Sequence, residues 1–354
     1  MSVSPVTTAP PADLLQRLLD PMMEGAVKLK QPLREVAERL FVHAVSNPAL
    51  SRTVGRLADI PAPPKVLAKA IAAYSQAYGV DFSEVADPVD SFTTFNAFFT
   101  RRLRDGARPI VEDSRTVVSP ADARLQSFGR IPTHGMLDQI KGRRYRLGGL
   151  LGDEGEGGAW REGAYATLYL SPRDYHRVHC PIDGVLTSWR HIPGKLFPVN
   201  GLATRHVSSL FNQNERVVMF LESETHGPMA LVMVGAANVG RITLSFTDQE
   251  PNWSASGPTT VRPANPIPVK RGDELGVFNL GSTVVLVASE PTLSDAGLLR
   301  GEHLKMGAPL WTLPAPEPKE AAPKKAAAKK AAAKKAAPKK AAKRPGSSRT
   351  TKKS

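Results

Sequence analysis

The 354-residue sequence contains a single cysteine, Cys180. An internal disulfide and a zinc site built from several cysteine thiolates are therefore excluded, which fits a reducing compartment. The first residues also lack the basic segment and apolar core of a secretory signal. We therefore expect the protein to stay on the cytoplasmic side.

Long apolar runs are missing as well. A membrane-spanning helix needs about 18 or more uninterrupted apolar residues, and no stretch of this sequence provides them. Membrane contact, if it occurs, is therefore expected to be peripheral. The predicted location is the cytoplasmic face of the cell membrane.

Acidic residues are scarce at the C-terminus. The net charge is +14, but residues 314–354 hold 14 Lys and Arg against two Glu, so this tail carries +12 and the rest about +2. The tail is rich in Ala, Lys and Pro and has no large apolar side chains to bury, so we predict that it is disordered when free. Its charge would favour anionic lipid and nucleic acid equally.

Apolar residues at helical spacing occupy the N-terminal part of the chain. One such stretch runs over 14–23, and others lie at 33–45 and 66–78. We predict an amphipathic helical region over residues 1–80. Periodicity does not decide whether these helices pack on a core or dock on a membrane surface.

Short runs rich in β-formers replace the helical pattern from about residue 115. Gly, Pro, Asn and Asp separate them, and examples lie at 165–170, 216–221, 229–234, 241–246 and 283–288. We predict an α+β protein whose mostly β, barrel- or sandwich-like core spans residues 81–313. The helical region precedes this core and the disordered basic tail, 314–354, follows it.

The segment GVFNLGSTVVLVAS, residues 276–289, places Gly281 and Ser282 at the entrance of an apolar strand. Glycine permits close approach to its carbonyl and a strained backbone. These are the needs of a serine hydroxyl that attacks its own upstream peptide bond. A Gly-Ser-Thr turn before a strand is also common without any chemistry.

The segment LYLSPRDYHRVHCP, residues 168–181, places His176 and His179 three residues apart. A hydroxyl needs a base to become a nucleophile near neutral pH, and imidazole is the usual one. The pair could also be half of a metal site, but no second ligand cluster at suitable spacing accompanies it. A structural role for either histidine is the remaining alternative.

The segment VVSPADARLQSFG, residues 117–129, contains Asp122. A carboxylate there could orient an imidazole and complete an Asp, His, Ser relay, although this segment read alone favours Asp122 as a cap of its own turn. An ordinary serine hydrolase is disfavoured, because Gly281 precedes Ser282 directly and Val284 occupies the later glycine position of a G-x-S-x-G elbow.

Together, SPAD, LSPRDYHRVH and LGST resemble the phosphatidylserine decarboxylase family. The resemblance continues through TFNAFFTRRL, IPGKLFPVN, NERV and GPMALVMVGAANVG and covers roughly residues 80–313. Ala123 stands where the family usually has Gly, and Cys180 stands where Met is common. Neither change removes a reacting group, so both concern local geometry.

The resemblance implies a role for each matching residue. Asp122, His179 and Ser282 would form a self-cleavage triad, and His176 would assist decarboxylation. The backbone would break between Gly281 and Ser282, and Ser282 would become a covalent pyruvoyl group. Neither pyridoxal phosphate nor a metal ion should be needed.

The resemblance also implies partners. The substrate would be phosphatidylserine in an anionic membrane, converted to phosphatidylethanolamine and CO₂ in phospholipid synthesis. The cleavage products, 1–281 and 282–354, would stay together as a heterodimer, with higher oligomers left open. A serine hydrolase and a nucleic-acid-binding protein remain the competing classes.

Overall fold

A computed structural model describes residues 48–139, 143–153, 155–199, 203–237, 241–248, 256–279 and 282–315, together with residues 38, 42 and 46. The predicted helix over 14–23 lies outside this part of the chain, as do almost all of 33–45 and of the tail. The helices are α1 (Pro48–Ala58), α2 (Pro64–Tyr78), α3 (Phe95–Phe99), α4 (Leu147–Leu151), α5 (Ala203–His206) and α6 (Leu210–Gln213). Single 3₁₀ turns occupy Phe82–Glu84, Val89–Ser91 and Glu156–Trp160.

Helix α2 confirms the helical pattern predicted over 66–78. Pro64 lies in its first turn, where the missing N–H costs no hydrogen bond. Leu67 and Ile71 recur at a spacing of four and are buried, which gives the helix one apolar face. Gly79 ends the helix at φ 73°, a left-handed conformation that favours glycine.

The strands form one large sheet and three small ones. The strands are β1 Thr116–Val118, β2 Ala123–Arg130, β3 Met136–Asp138, β4 Arg144–Arg146, β5 Ala164–Leu170, β6 Arg177–His179, β7 Gly184–Ile192, β8 Arg216–Ser223, β9 Gly227–Gly235, β10 Arg241–Leu244, β11 Thr259–Val261, β12 Ile267–Val269, β13 Glu274–Asn279, β14 Ser282–Ala288, β15 Ser294–Asp295, β16 His303–Leu304 and β17 Pro309–Thr312. The large sheet has the order β11-β7-β8-β9-β14-β5-β2-β16, with β12 also paired to β7; the small sheets are β1-β17-β15, β10-β13-β6 and β3-β4.

Strand β14 lies inside the large sheet. It pairs antiparallel with β5 on one side and with β9 on the other, and all seven of its residues are buried. A strand covered on both faces reads as a continuous apolar run, which is the pattern seen in the sequence. The prediction of an α+β protein with a sheet-rich core is confirmed.

The small sheet β10-β13-β6 brings two distant segments to the start of β14. Strand β13 ends at Asn279, just before β14, and pairs with β6, which contains His179. The backbone N–H of Phe278 donates to the carbonyl of His176 at 3.0 Å. The histidine segment and the serine segment are therefore neighbours in the fold.

The helices of the described residues are too short or too polar to span a membrane.

Candidate active site

Ser282 opens the buried central strand. Its partners across the sheet are Leu170 in β5 and Gly235 in β9. The residue is 1% exposed, and its Oγ has no hydrogen-bond partner among the described residues. Buried hydroxyls are normally hydrogen-bonded. The Ser282 hydroxyl is an exception, because it is buried but contributes no hydrogen bond to the fold. Gly281, the other half of the predicted cleavage site, lies outside the described residues.

His176 is buried in the loop that follows β5. Its Nδ1 lies 2.8 Å from the carbonyl oxygen of Asp174. A carbonyl only accepts, so Nδ1 carries the proton and Nε2 carries the lone pair. Nε2 has no partner within the described part of the chain. The ring packs on Phe99 of α3 with centroids 4.0 Å apart, which fixes its orientation.

Burial controls the charge of His176. It lowers the pKa of the imidazole to about 3, because the charged form is poorly solvated there. The side chain is therefore neutral near pH 7. A neutral imidazole with a free Nε2 can accept a proton from a nearby donor and return it later.

His179 has a partner at each ring nitrogen. Its Nδ1 lies 2.7 Å from the carbonyl oxygen of Gly272, and its Nε2 lies 3.0 Å from the hydroxyl of Tyr175. Nδ1 therefore donates, and the neutral Nε2 accepts from Tyr175. Burial lowers the pKa of His179 and raises that of Tyr175 to about 12. His179 thus has the protonation state of a base, but its lone pair is shared with Tyr175.

Asp122 lies in a network of charges. Arg108 donates from Nε to Oδ1 at 2.8 Å and from Nη2 to Oδ2, and the backbone N–H of Met306 donates to Oδ1 at 2.8 Å. Arg108 also contacts Glu84 at 2.7 Å, which in turn contacts Lys305. Burial opposes the charge of Arg108, but hydrogen bonds to the two carboxylates raise its pKa.

No hydrogen bond of the described residues joins Asp122 to His179 or His179 to Ser282, the three residues of the predicted triad. The backbone N–H of His179 donates to the carbonyl of Pro120 at 2.8 Å, which ties β6 to the segment that carries Asp122. Burial lowers the pKa of His179, and the hydrogen bond to Gly272, the charge of Glu274 and, least, the charge of Asp122 act to raise it. The triad roles remain predictions.

The described residues contain no group of three or more His, Cys, Asp or Glu side chains placed to hold a metal ion. Cys180 is fully buried, and burial raises the pKa of its thiol to about 12. It therefore behaves as a small core residue that fills the position beside His179.

A family model and several curated relatives match the sequence. The model of the family described as phosphatidylserine decarboxylase matches residues 95–312. The chain belongs to the phosphatidylserine decarboxylase family. The match spans Asp122, His176, His179 and Ser282, the residues on which the family resemblance was drawn.

Curated relatives extend the match to decarboxylase family members from several bacteria. The protein from Anaeromyxobacter sp. strain K is 44% identical over 77% of this chain and 98% of its own length. Those from Vibrio cholerae and Marinobacter nauticus are 43% and 41% identical and cover 74% and 71% of this chain, and 93% and 89% of their own lengths. Each is named phosphatidylserine decarboxylase proenzyme.

Four polar residues of this family member were not among the predicted site residues, namely Arg101, Arg108, Asp174 and Tyr175. Asp174 accepts from the N–H and hydroxyl of Ser171, both at 2.7 Å, and from His303 at 2.9 Å. Its backbone carbonyl holds His176. Tyr175 and Asp174 lie inside LSPRDYHRVH, so that motif carried a signal for them. No sequence motif pointed to Arg108, because its contact with Asp122 forms only in the folded chain.

Proposed function

We propose that the chain decarboxylates phosphatidylserine to phosphatidylethanolamine and that it is made as a proenzyme, which cuts itself between Gly281 and Ser282. The observation that carries the proposal is the buried, unpartnered hydroxyl of Ser282 at the start of β14, inside the family match. A hydroxyl that no other group occupies is free to attack the carbonyl that precedes it.

Self-cleavage needs a base for that hydroxyl. His179, neutral at Nε2, would take the proton of Ser282 once Tyr175 moves aside. The alkoxide would attack the carbonyl carbon of Gly281, and the peptide C–N bond would break to give an ester. Loss of the Ser282 α-proton would then expel the Gly281 carboxylate, and hydrolysis of the resulting dehydroalanine would release ammonia and leave the pyruvoyl group.

The fold would hold the two cleavage products together. Strand β14 follows the cut and pairs with β5 and β9, which precede it. Strands β16 and β17 also follow the cut and pair with β2 and β1. Backbone hydrogen bonds thus join the short chain to two sheets of the long chain. This pairing supports a heterodimer of 1–281 and 282–354.

A pyruvoyl group fits the residues at this position. Ser282 is closed off from water, and the neutral His176 with its free Nε2 belongs to the adjoining loop. The group would supply a ketone that binds the substrate amine covalently and accepts the electrons released as CO₂ leaves. Once the negative charge of the bound substrate offsets the burial that depresses its pKa, His176 would accept a proton from the substrate ammonium at Nε2, and it would return a proton to the substrate Cα after CO₂ is lost.

The lipid substrate requires a membrane surface. Leu57, Ile60 and Val66 are 60%, 56% and 59% exposed and lie at the end of α1, in the α1–α2 connection and at the start of α2. Three large apolar side chains exposed within one short stretch support peripheral docking by the helical region. The basic tail, 314–354, would add attraction to anionic lipids, and binding to nucleic acid is the alternative for the tail.

Release of labelled CO₂ tests the proposed reaction. Wild-type protein should release it from phosphatidylserine labelled in the serine carboxylate, and Ser282→Ala should not. A serine hydrolase would instead release fatty acid or serine and would remain one chain. Wild-type protein that releases only hydrolysis products would contradict the decarboxylase proposal.

A further inference from the structure

Arg101 is a buried cation with unused hydrogen-bond donors. It follows α3 and is 4% exposed. Its Nη2 donates to the carbonyls of Arg173 at 2.8 Å and Asp174 at 3.3 Å. Its Nε and Nη1 have no acceptor among the described residues. Burying a guanidinium without full pairing is costly, so these donors call for an explanation.

No carboxylate of the described residues forms an ion pair with Arg101. The two whose charges act on it, Asp122 and Asp174, already have other partners. Asp122 is held by Arg108 and the Met306 N–H, and Asp174 is held by Ser171 and His303. Burial lowers the pKa of Arg101, and electrostatic interactions with Tyr74, Asp122 and Asp174 oppose the effect without an ion pair between Arg101 and a carboxylate of the described residues. A positive charge therefore stays unneutralised inside the fold.

Shared hydrogen bonds place this charge beside the reacting groups. The carbonyl of Asp174 accepts from both Arg101 Nη2 and His176 Nδ1. The carbonyl of His176 in turn accepts from Phe278 in β13, the strand that leads to Ser282. Asn96 of α3 donates to Asn279 at 2.9 Å, which ties the helix before Arg101 to the end of the same strand.

We propose that Arg101 binds the phosphodiester of the lipid headgroup, an inference that rests on the proposed function. Guanidinium and phosphate form charge-assisted hydrogen bonds with good geometric fit. In phosphatidylserine only a methylene and an ester oxygen separate the phosphorus from the reacting Cα, so an anion site near His176 is within reach.

The substrate carboxylate is the less suitable anion for Arg101. It loses its negative charge as it leaves as neutral CO₂, so a cation bound to it would stabilise the ground state more than the transition state. The phosphodiester keeps its charge throughout the reaction. A cation bound to the phosphodiester therefore holds the substrate without opposing the chemistry.

Substitutions of Arg101 in the full-length protein test the proposal. Arg101→Gln should still self-cleave, and its KM for phosphatidylserine in mixed micelles should rise roughly ten- to a hundredfold, as expected for loss of a hydrogen-bonded charge. Inhibition by the product, phosphatidylethanolamine, should weaken by a similar factor, because the product keeps the phosphodiester. The KM and the product inhibition of Arg101→Lys should lie between those of wild type and those of Arg101→Gln. Arg102→Gln, at the exposed neighbouring position, should match wild type.

Each other outcome counts against the proposal. Unchanged KM and unchanged product inhibition would overturn it. A raised KM with unchanged product inhibition would assign Arg101 to the carboxylate instead. If both Arg101 variants fail to cleave, the guanidinium serves mainly to hold the carbonyls of residues 173 and 174, and the proposal is wrong. Wild-type protein without decarboxylase activity would refute the proposed function itself, independently of Arg101.

Discussion

Two groups of buried polar side chains differ in how completely they are hydrogen-bonded. Around Asp122, both carboxylate oxygens and the guanidinium of Arg108 have close partners. Around Ser282, the serine hydroxyl, His176 Nε2 and two nitrogens of Arg101 have none among the described residues. Buried polar groups are paired almost everywhere in native proteins. The pairing around Asp122 therefore stabilises the fold, whereas under the proposed function the unpartnered atoms of Ser282, His176 and Arg101 would gain partners from the substrate and the reaction.

Loss of the Ser282 hydroxyl should have the largest effect on function and almost none on the fold. Ser282→Ala should stay full length and release no CO₂, because it lacks both the nucleophile and the precursor of the pyruvoyl group. Electrophoresis and a CO₂ assay measure both. Thr283→Val is the matched control, since Thr283 Oγ1 is also buried and unpartnered. This control should cleave and react normally, and its failure would mean that any hydroxyl lost from β14 disrupts the site.

The two histidines should separate cleavage from decarboxylation. His179→Gln should slow self-cleavage strongly, because the hydroxyl loses its base. His176→Asn should cleave but lose roughly 10²- to 10⁴-fold in decarboxylation rate, the usual contribution of a positioned acid or base. Time courses of cleavage and single-turnover CO₂ release measure the two steps. If both variants mature and turn over like wild type, the assigned roles are wrong.

Breaking the fully hydrogen-bonded group around Asp122 should lower the stability of the fold. Arg108→Gln leaves a buried carboxylate without its main partner, and we expect unfolding free energy to fall by about 3 kcal/mol or more. Combining it with Asp122→Asn should restore part of the loss. Denaturation is best measured in the uncleaved Ser282→Ala background. Arg115→Gln, which breaks the exposed pair with Asp113, should cost far less, because solvent screens that pair. Equal losses in the two variants would remove the distinction.

Acid should destabilise the protein partly through His176. Burial depresses the pKa of His176 from its usual 6.5 to about 3 in the fold. Above pH 6.5 the imidazole is neutral in both the folded and the unfolded protein, so its titration costs no stability there. As pH falls from 6.5 towards 3, the unfolded chain binds a proton that the folded chain does not, and stability is lost. In the Ser282→Ala background, His176→Asn should reduce the slope of unfolding free energy by up to about 1.4 kcal/mol per pH unit. An unchanged slope, with exposed His134→Asn as control, would contradict the burial effect.

Removal of the tail should have the smallest effect on chemistry. Deleting 314–354 should leave cleavage and turnover of detergent-dispersed lipid nearly unchanged, because no proposed reacting group lies beyond Ser282. Sedimentation with anionic vesicles should fall at low salt, and the difference should shrink at high salt as charges are screened. Equal sedimentation at low salt, combined with tail-dependent retention on DNA, would assign the tail to nucleic acid.

Sequence patterns predicted the local secondary structure better than they predicted the contacts between distant segments. The helix over 66–78 and the strand over 283–288 were found because apolar periodicity and length are local properties. The strand predicted over 241–246 is shorter, Arg241–Leu244. Three motifs pointed to Ser282, the two histidines and Asp122. The partners of those groups, such as Arg108 on Asp122 and Tyr175 on His179, depend on packing between segments that no local pattern encodes.

Intact-mass spectrometry of purified wild-type protein tests the central claim most directly. Two chains should appear, one ending at Gly281 and a shorter one beginning at residue 282 with the mass of a pyruvoyl group in place of serine. Phenylhydrazine should add to the shorter chain alone and abolish activity. A single unmodified chain of 38.1 kDa that still decarboxylates phosphatidylserine would contradict the account.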